Sequence, residues 1–356
     1  LDGTNGFKLD GEAALDRSGF SVAAAGDLND DGLDDLVVGA PSADPNGIDS
    51  GRSYVVFGRS SGFAATLPLA ALDGTNGFQL DGEAAGDFSG YSVATAGDLN
   101  GDGLDDLIVG ADLAEPNGSN SGRSYVVFGR SSGFPATLPL AALNGTNGFK
   151  LDGEAALDRS GFSVAAAGDL NGDGLDDLIV GAPGASPNGM YSGRSYVVFG
   201  RSSGFPAILQ LADLDGSNGI QLDGEAAYDF SGYSVAAAGD LNGDGLDDLI
   251  AGASRADPNG TDSGRSYVVF GKIGGFASPL PLSSLDGTDG FKLDGEAAFD
   301  RSGFSVAAAG DVNGDGIDDL IVGAYGANSN GSDSGRSYVV FGSFSDVLFA
   351  DGFESP

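Results

Sequence analysis

An all-β protein built from five copies of one structural unit is what the sequence predicts, and three observations predict it. The chain repeats with a period of 71 residues, so that Asp27, Asp98, Asp169, Asp240 and Asp311 hold one position in five copies with no insertion or deletion between them. Each copy carries short runs of branched and aromatic residues bounded by Gly, Asn, Asp and Pro, the residue types of strands and tight turns. The 63 glycines and 13 prolines among 356 residues leave little room for helix.

In the first copy the strand candidates are Phe7 to Asp10, Phe20 to Gly26, Asp35 to Ala40 and Arg52 to Gly58. Asn5-Gly6, Pro45-Asn46-Gly47 and Ser61-Gly62 mark turns, and only Leu67 to Leu72 suggests a helical turn. About four strands per unit at this period is the signature of a β-propeller, each unit one four-stranded blade buried against its neighbours. The repeats fall at 1–71, 72–142, 143–213, 214–284 and 285–342, giving one propeller domain over 1–342 and a tail, 343–356, that breaks the pattern. In that tail Phe344, Val347, Phe349 and Phe353 are candidates for packing on the rim or on an adjacent subunit.

Each copy contains one acidic loop reading D-x-N-x-D-G-x-D-D. A hard divalent cation takes six to eight oxygens, and carboxylates at alternate positions of a tight loop can converge on one point. The candidate ligands are the side chains of Asp27, Asn29, Asp31 and Asp35 with the carbonyl of Leu33. Their copies are Asp98, Asn100, Asp102, Leu104 and Asp106, then Asp169, Asn171, Asp173, Leu175 and Asp177. Asp240, Asn242, Asp244, Leu246 and Asp248 form the fourth set, and Asp311, Asn313, Asp315, Ile317 and Asp319 the fifth. Gly32 sits where the chain must turn sharply. Three carboxylates and no His or Cys favour calcium over zinc or copper, so about five Ca²⁺ are expected, one per repeat. An EF-hand is excluded, because its twelfth position needs a bidentate Glu and holds Val38, Val109, Val180, Ala251 and Val322 here. An Asx-rich turn that binds nothing uses the same residue types.

Charge agrees with a cation-rich setting. Asp and Glu total 52 against 16 Lys and Arg, a formal charge of −36, which disfavours nucleic acid and anionic membrane surfaces as partners. Five calcium ions would carry +10 and take −36 to −26. The absence of Cys excludes a disulfide framework. No apolar run is long enough to cross a membrane, and the chain opens in register with the repeat, as a processed secreted chain would.

The run GFSVAAAGDLNDDGLDDLVVGAP, residues 19 to 41, resembles the FG-GAP repeat of the integrin α-subunit propeller and of bacterial surface proteins. It recurs as GYSVATAGDLNGDGLDDLIVGAD, GFSVAAAGDLNGDGLDDLIVGAP, GYSVAAAGDLNGDGLDDLIAGAS and GFSVAAAGDVNGDGIDDLIVGAY, so the resemblance covers the whole chain. It implies a calcium loop between the first two strands of each blade, with Arg52 to Gly58 as third strand and Phe78 to Asp81 as fourth. Phe7 to Asp10 is then left without a blade of its own. It is expected to close a monomeric ring as outer strand of the blade running from Phe304 to Gly342, or else to complete that blade in a neighbouring molecule and build filaments. Propellers of the integrin type usually have seven blades, whereas this chain supplies five repeats.

Repeats one, three and five carry Lys8, Lys150 and Lys292 with Arg17, Arg159 and Arg301, whereas repeats two and four carry Gln79 and Gln221 with Phe88 and Phe230. Duplication of a two-repeat unit explains this alternation; a blade or subunit contact is the sharper reading. Arg52 and its copies are expected to bridge Glu or Asp within each blade, and Tyr54, Phe57, Phe63 and Phe7 to be core. No His and no Cys, together with carboxylates that recur in every repeat, argue against an enzyme. The expected function is that of a non-enzymatic, calcium-stapled extracellular adhesive or structural protein. Its partners would be a protein or glycan surface ligand, or copies of itself. A self-assembling filament subunit and the non-catalytic propeller of a secreted hydrolase or lectin are the alternatives.

Overall fold

The computed structural model describes residues 1–343; the tail residues from Phe344 onward lie outside them. The first repeat contributes β1 (Lys8–Asp10), β2 (Ser21–Gly26), β3 (Asp35–Ala40), β4 (Arg52–Val56) and β5 (Thr66–Pro68), followed by a 3-10 turn over Leu69–Ala71. The second repeat opens with β6 (Gly77–Asp81). Strands β2, β3, β4 and β6 form an antiparallel four-stranded sheet, with Arg52 opposite Asp81 and Val56 opposite Gly77. A fifth, parallel strand, Thr137–Pro139, lies on the outer side of β6. Branched apolar residues face both sides of the central strands, as expected of strands covered on two faces.

The pattern then repeats. Ser92–Gly97, Asp106–Ala111, Arg123–Val127 and Gly148–Asp152 form the second sheet with Ile208–Gln210 as parallel outer strand, and the third is built likewise with Leu280–Pro281 outermost. The fourth sheet has four strands among the described residues, and the last has three: Ser302–Gly310, Asp319–Ala324 and Arg336–Val340. The all-β fold of repeated four-stranded blades thus holds. The helical turn expected over Leu67 to Leu72 is half strand and half 3-10 turn, because Pro68 can occupy an edge strand, where it owes no ladder hydrogen bond.

The N-terminal strand departs from expectation. β1 pairs with β5, in parallel, as a separate two-stranded sheet, in the same register by which β6 pairs with Thr137–Pro139. It therefore holds the place of a fourth strand whose inner three strands are not part of its sheet. The last sheet ends at Arg336–Val340 without a fourth strand among the described residues, so the ring-closing pairing is not what this structure contains.

The chain divides into two compact units, residues Leu1–Val164 with Arg201–Leu211, and Ala165–Gly200 with Ala212 onward. In the first, Val37, Val55, Phe57 and Phe78 of the first sheet pack against Val93, Leu107, Val109 and Tyr125 of the second. In the second, Ile179, Val197 and Phe199 pack against Val235, Leu249 and Tyr267, and Ile250, Val268 and Phe270 against Val306, Leu320 and Val322. These faces approach closely. A methyl group on Gly181 would lie 2.0 Å from the carbonyl oxygen of Gly232 in the next repeat, whereas one on Gly323, its counterpart in the last repeat, would meet nothing nearer than 3.6 Å.

A charged network pins the sheets together. Arg123 Nε donates to Asp152 of its own sheet at 2.6 Å, while its Nη1 pairs with Glu83, which follows β6 and so extends from the first sheet. Tyr125 Oη donates to the same glutamate at 3.1 Å and Lys150 also pairs with it. The expected bridge within one blade is therefore half right, because the Asp belongs to the blade and the Glu ties it to its neighbour. Burial pushes the Glu83 acid up, but Lys150, Arg123 and Tyr125 outweigh it and leave it below the usual glutamate range. The alternation of Lys with Gln acts here, since Lys150 and Lys292 reach Glu83 and Glu225 respectively.

Two outcomes follow from this packing. Gly181→Ala should cost roughly 1–3 kcal/mol through overpacking, and Gly323→Ala should be near neutral, in urea unfolding of the two variants. A depressed acid stabilises above its unfolded value near 4.3 and loses that contribution as pH falls through its lower folded value. Glu83→Gln should therefore cost about 3 kcal/mol at pH 7, with the deficit against wild type shrinking below about pH 4.

Candidate functional site: five acidic loops

Each acidic loop joins the first two strands of a sheet, at 27–34 in the first repeat. Its conformation is set by its own side chains. Asp27 accepts from the backbone N–H groups of Asp31 and Gly32 at 3.1 and 2.8 Å, and Asp31 accepts from Leu33 N–H at 3.0 Å. Asp98, Asp169, Asp240 and Asp311 each hold three loop N–H groups in the same way. Gly32 has φ +82°, a turn no β-branched residue would adopt without strain.

The last aspartate of each loop behaves differently. Asp35 is fully buried, accepting from Leu28 N–H at 3.2 Å and from Gly58 N–H at 2.8 Å, so it locks the loop to the chain beyond β4. Asp106, Asp177, Asp248 and Asp319 repeat that clasp. Burial pushes the Asp35 acid up to about 7, with the negative charges of Asp31 and Asp27 adding to it, while burial pushes Asp106, Asp177 and Asp248 to about 8. A carboxylate so placed lacks a positive partner among the described residues.

The residues therefore fit a cation in composition: all donors are oxygens, the buried acid has no counter-ion among the described residues, and the buried Asn29 Oδ1 has no hydrogen-bond partner. Among the described residues, no three acidic side chains are grouped as they would be around a metal ion. Asp27 and Asp31 are instead turned onto backbone N–H groups of their own loop.

One set of residues is not evident from the spacing. The penultimate Asp of the loop reaches into the loop of the preceding repeat: Asp105 accepts from Asp27 N–H at 2.8 Å, Asp247 from Asp169 N–H at 2.9 Å and Asp318 from Asp240 N–H at 3.1 Å. The Asp-Asp doublet, present in all five copies, is the signal in the sequence, since one carboxylate clasps its own loop and the other braces its neighbour's.

With this geometry in place, comparison with known proteins is direct. The FG-GAP repeat model matches residues 18–56, 89–127, 160–198, 231–269 and 302–340, and the chain belongs to the FG-GAP repeat family. It is similar to integrin alpha pat-2 of Caenorhabditis elegans, 33% identical over 67% of this chain and 18% of that protein. Integrin alpha-V of Gallus gallus is 32% identical over 69% of this chain and 21% of its own length. The phosphatidylinositol-glycan-specific phospholipase D of Bos taurus is 36% identical over 86% of this chain and 35% of its length. The chain thus spans about a third or less of these relatives.

The bracing role has a measurable consequence. Asp247→Ala should destabilise the protein by about 2 kcal/mol in urea unfolding, the cost of a hydrogen bond to a charged group, and the exposed counterpart Asp34→Ala should be near neutral.

Proposed function

We propose that this chain is a non-enzymatic, calcium-binding adhesive module of the cell exterior, in which one Ca²⁺ per repeat fixes the joints between strands. The observation that carries the reading is the buried aspartate of each loop, held without a counter-ion among the described residues and, in the first four loops, raised further by the negative charges of two other loop carboxylates. Asp27, Asn29, Asp31 and Asp35 with the Leu33 carbonyl would hold the ion in the first repeat, and their copies in the others. The ion would supply positive charge to carboxylates that otherwise repel one another. The integrin relatives support a surface role by similarity. No helix among the described residues is long and apolar enough to cross a membrane.

A second reading is favoured by the broad similarity to a phosphatidylinositol-glycan-specific phospholipase D, namely that the chain is the non-catalytic propeller of a secreted hydrolase. Lacking His and Cys, this chain offers neither the commonest general base nor a thiol nucleophile.

Calorimetric titration of the chelator-treated protein should show binding of about five calcium ions. A site filled at a hundred times its dissociation constant adds about 2.7 kcal/mol, so thermal melting should rise steeply with calcium. Beads coated with the protein should adhere to cells or matrix in calcium and detach in chelator. Melting and adhesion indifferent to chelator would exclude the reading. Release of phosphatidylinositol-anchored protein by the chain alone would overturn its non-enzymatic part.

A further inference from the structure

Four joints between consecutive repeats share one backbone arrangement, and one of them differs from the rest in its side chains. At each joint two N–H groups donate to two carbonyls of the turn between the second and third strands of the preceding sheet. Gly86 and Phe88 donate to Ile48 and Asp49, Leu157 and Arg159 to Ser119 and Asn120, and Phe299 and Arg301 to Thr261 and Asp262. Tyr228 and Phe230 donate in the same way to Met190 and Tyr191, at 2.8 and 3.0 Å. Only this last joint places a large apolar or aromatic side chain at all four positions. The backbone forms equally well with Asp, Asn, Ser or Gly there, so its hydrogen bonds do not account for the aromatic set.

Tyr191 also breaks a local rule. Its φ is +56°, a left-handed conformation that Asp and Asn tolerate and a bulky side chain adopts only under strain, and Asp49, Asn120, Asp262 and Asp333 hold this position in the other repeats. Strain of this kind collects at functional sites. Asp44 and Asp257 close the turn by accepting from the N–H groups of Asp49 and Asp262 at 2.7 Å, whereas Ser186 Oγ accepts from Tyr191 N–H at 2.9 Å. Residues 183–192 therefore carry no charge, unlike the same turn in every other repeat. In place of the acids stands a ridge. The Arg255 guanidinium lies 4.9 Å from the Phe230 ring centroid, Phe230 stacks on Tyr191 at 5.4 Å, and Tyr191 meets Tyr228 edge-on at 6.1 Å. Tyr228 Oη donates to Met190 Sδ at 3.2 Å, a weak acceptor that a carbonyl could replace. Met190, the one methionine of the chain, and Tyr228 are 56% and 54% exposed. Arg255 is exposed and has no acidic partner among the described residues, while Asp229, the acid between two of the rings in sequence, is buried and accepts from Ala226 N–H at 3.0 Å.

We infer that this ridge is a docking site for a polypeptide segment of another protein, one that carries a carboxylate beside an aromatic or aliphatic side chain. Tyr, Phe, Met and Arg are the residue types enriched in protein–protein interfaces, and Asp, which this turn has lost, is depleted there. The apolar side chain of the segment would lie across Met190 and Tyr228, where the flexible thioether adapts to its shape. Its carboxylate would reach the Arg255 guanidinium, which stands unpaired in a chain of 52 acids and 16 Lys and Arg. The net charge of −36 does not forbid this, because at physiological ionic strength exposed charges are screened beyond about 8 Å and the nearby turn is neutral. A neutral glycan is the lesser candidate, since the carboxylates that would accept its hydroxyls are what the turn lacks. As the place where an adhesive module would hold its partner, the ridge rests on the adhesive reading, but it requires no metal in its own loops.

The test is fluorescence anisotropy of a labelled random copolymer of glutamate and tyrosine, titrated with the 356-residue chain at physiological salt, beside labelled polyglutamate. The copolymer should bind about tenfold more tightly than polyglutamate, and Arg255→Gln and Tyr228→Ala should each weaken it about tenfold. Tyr191→Asp, which restores the residue of the first and fourth repeats, should abolish the preference for the copolymer while melting at or above the wild-type temperature, because it relieves the left-handed tyrosine. Copolymer binding no tighter than that of polyglutamate overturns the inference, as does binding that Arg255→Gln and Tyr191→Asp leave unchanged. A lower melting temperature of Tyr191→Asp would overturn it too, by showing that the rings serve the fold. So would a neutral mannan or β-glucan whose binding, in place of the copolymer's, is lost in Tyr228→Ala. The copolymer is read without cells, so its failure would remove the ridge and leave calcium-dependent adhesion to be judged separately.

Discussion

The constraint on which the structure depends is a mismatch of phase between the sequence repeat and the sheet. A sheet takes its first three strands from one repeat and its fourth from the start of the next, as β6 joins β2, β3 and β4. Before laying down its own fourth strand, the chain also returns to add a parallel strand to the preceding sheet, as Thr137–Pro139 adds to β6. Neighbouring sheets are thereby connected by backbone hydrogen bonds as well as by packing. No 71-residue copy can satisfy its own backbone alone.

Charge is distributed to serve the same joint. With 52 acidic and 16 basic residues, cations are scarce, and most of the arginines that begin the third strand hold two acids at once, one from their own sheet and one from the neighbour. Glu83 and Arg123 have side chains 17% and 16% exposed, so each would be costly to leave unpaired. The remaining acids concentrate in the loops, where no arginine among the described residues reaches the buried Asp35 or its copies. That imbalance distinguishes the loops from the rest of the surface, and it is there that the proposed divalent cation would act.

Much of this was legible in the sequence because the repeat multiplies each weak signal by five. The strands at Asp35 to Ala40 and its copies, the loop between first and second strands, and the core positions Tyr54 and Phe57 follow from residue type and alternation. The parallel outer strands were not legible. Thr66-Leu67-Pro68 is too short and too rich in breakers to read as a strand, and its partner lies 58 residues away in sequence. The pairing of β1 escaped for a related reason. Sequence identifies it as a displaced fourth strand but carries nothing to say which outer strand will meet it. Likewise the doublet Asp105-Asp106 reads as supplying one ligand, Asp106, and nothing in the spacing shows that Asp105 faces the loop of the preceding repeat.

The bracing aspartates connect the candidate metal site to the interface between repeats. Asp105 and Asp247 each hold the first N–H of a preceding loop, while the neighbouring Asp106 and Asp248 clasp their own loops from within. Ordering one loop therefore presents its first backbone N–H to the next repeat in fixed geometry, and disordering it removes a contact from that joint. A cation held as proposed would act on the stiffness of the joints that its own loop takes part in, with no need for a path across any single sheet. It would do so most visibly at the last repeat, where Asp311 N–H has no bracing carboxylate among the described residues and the loop is held by its internal bonds, the Asp319 clasp and the contact of Asp318 with the preceding loop.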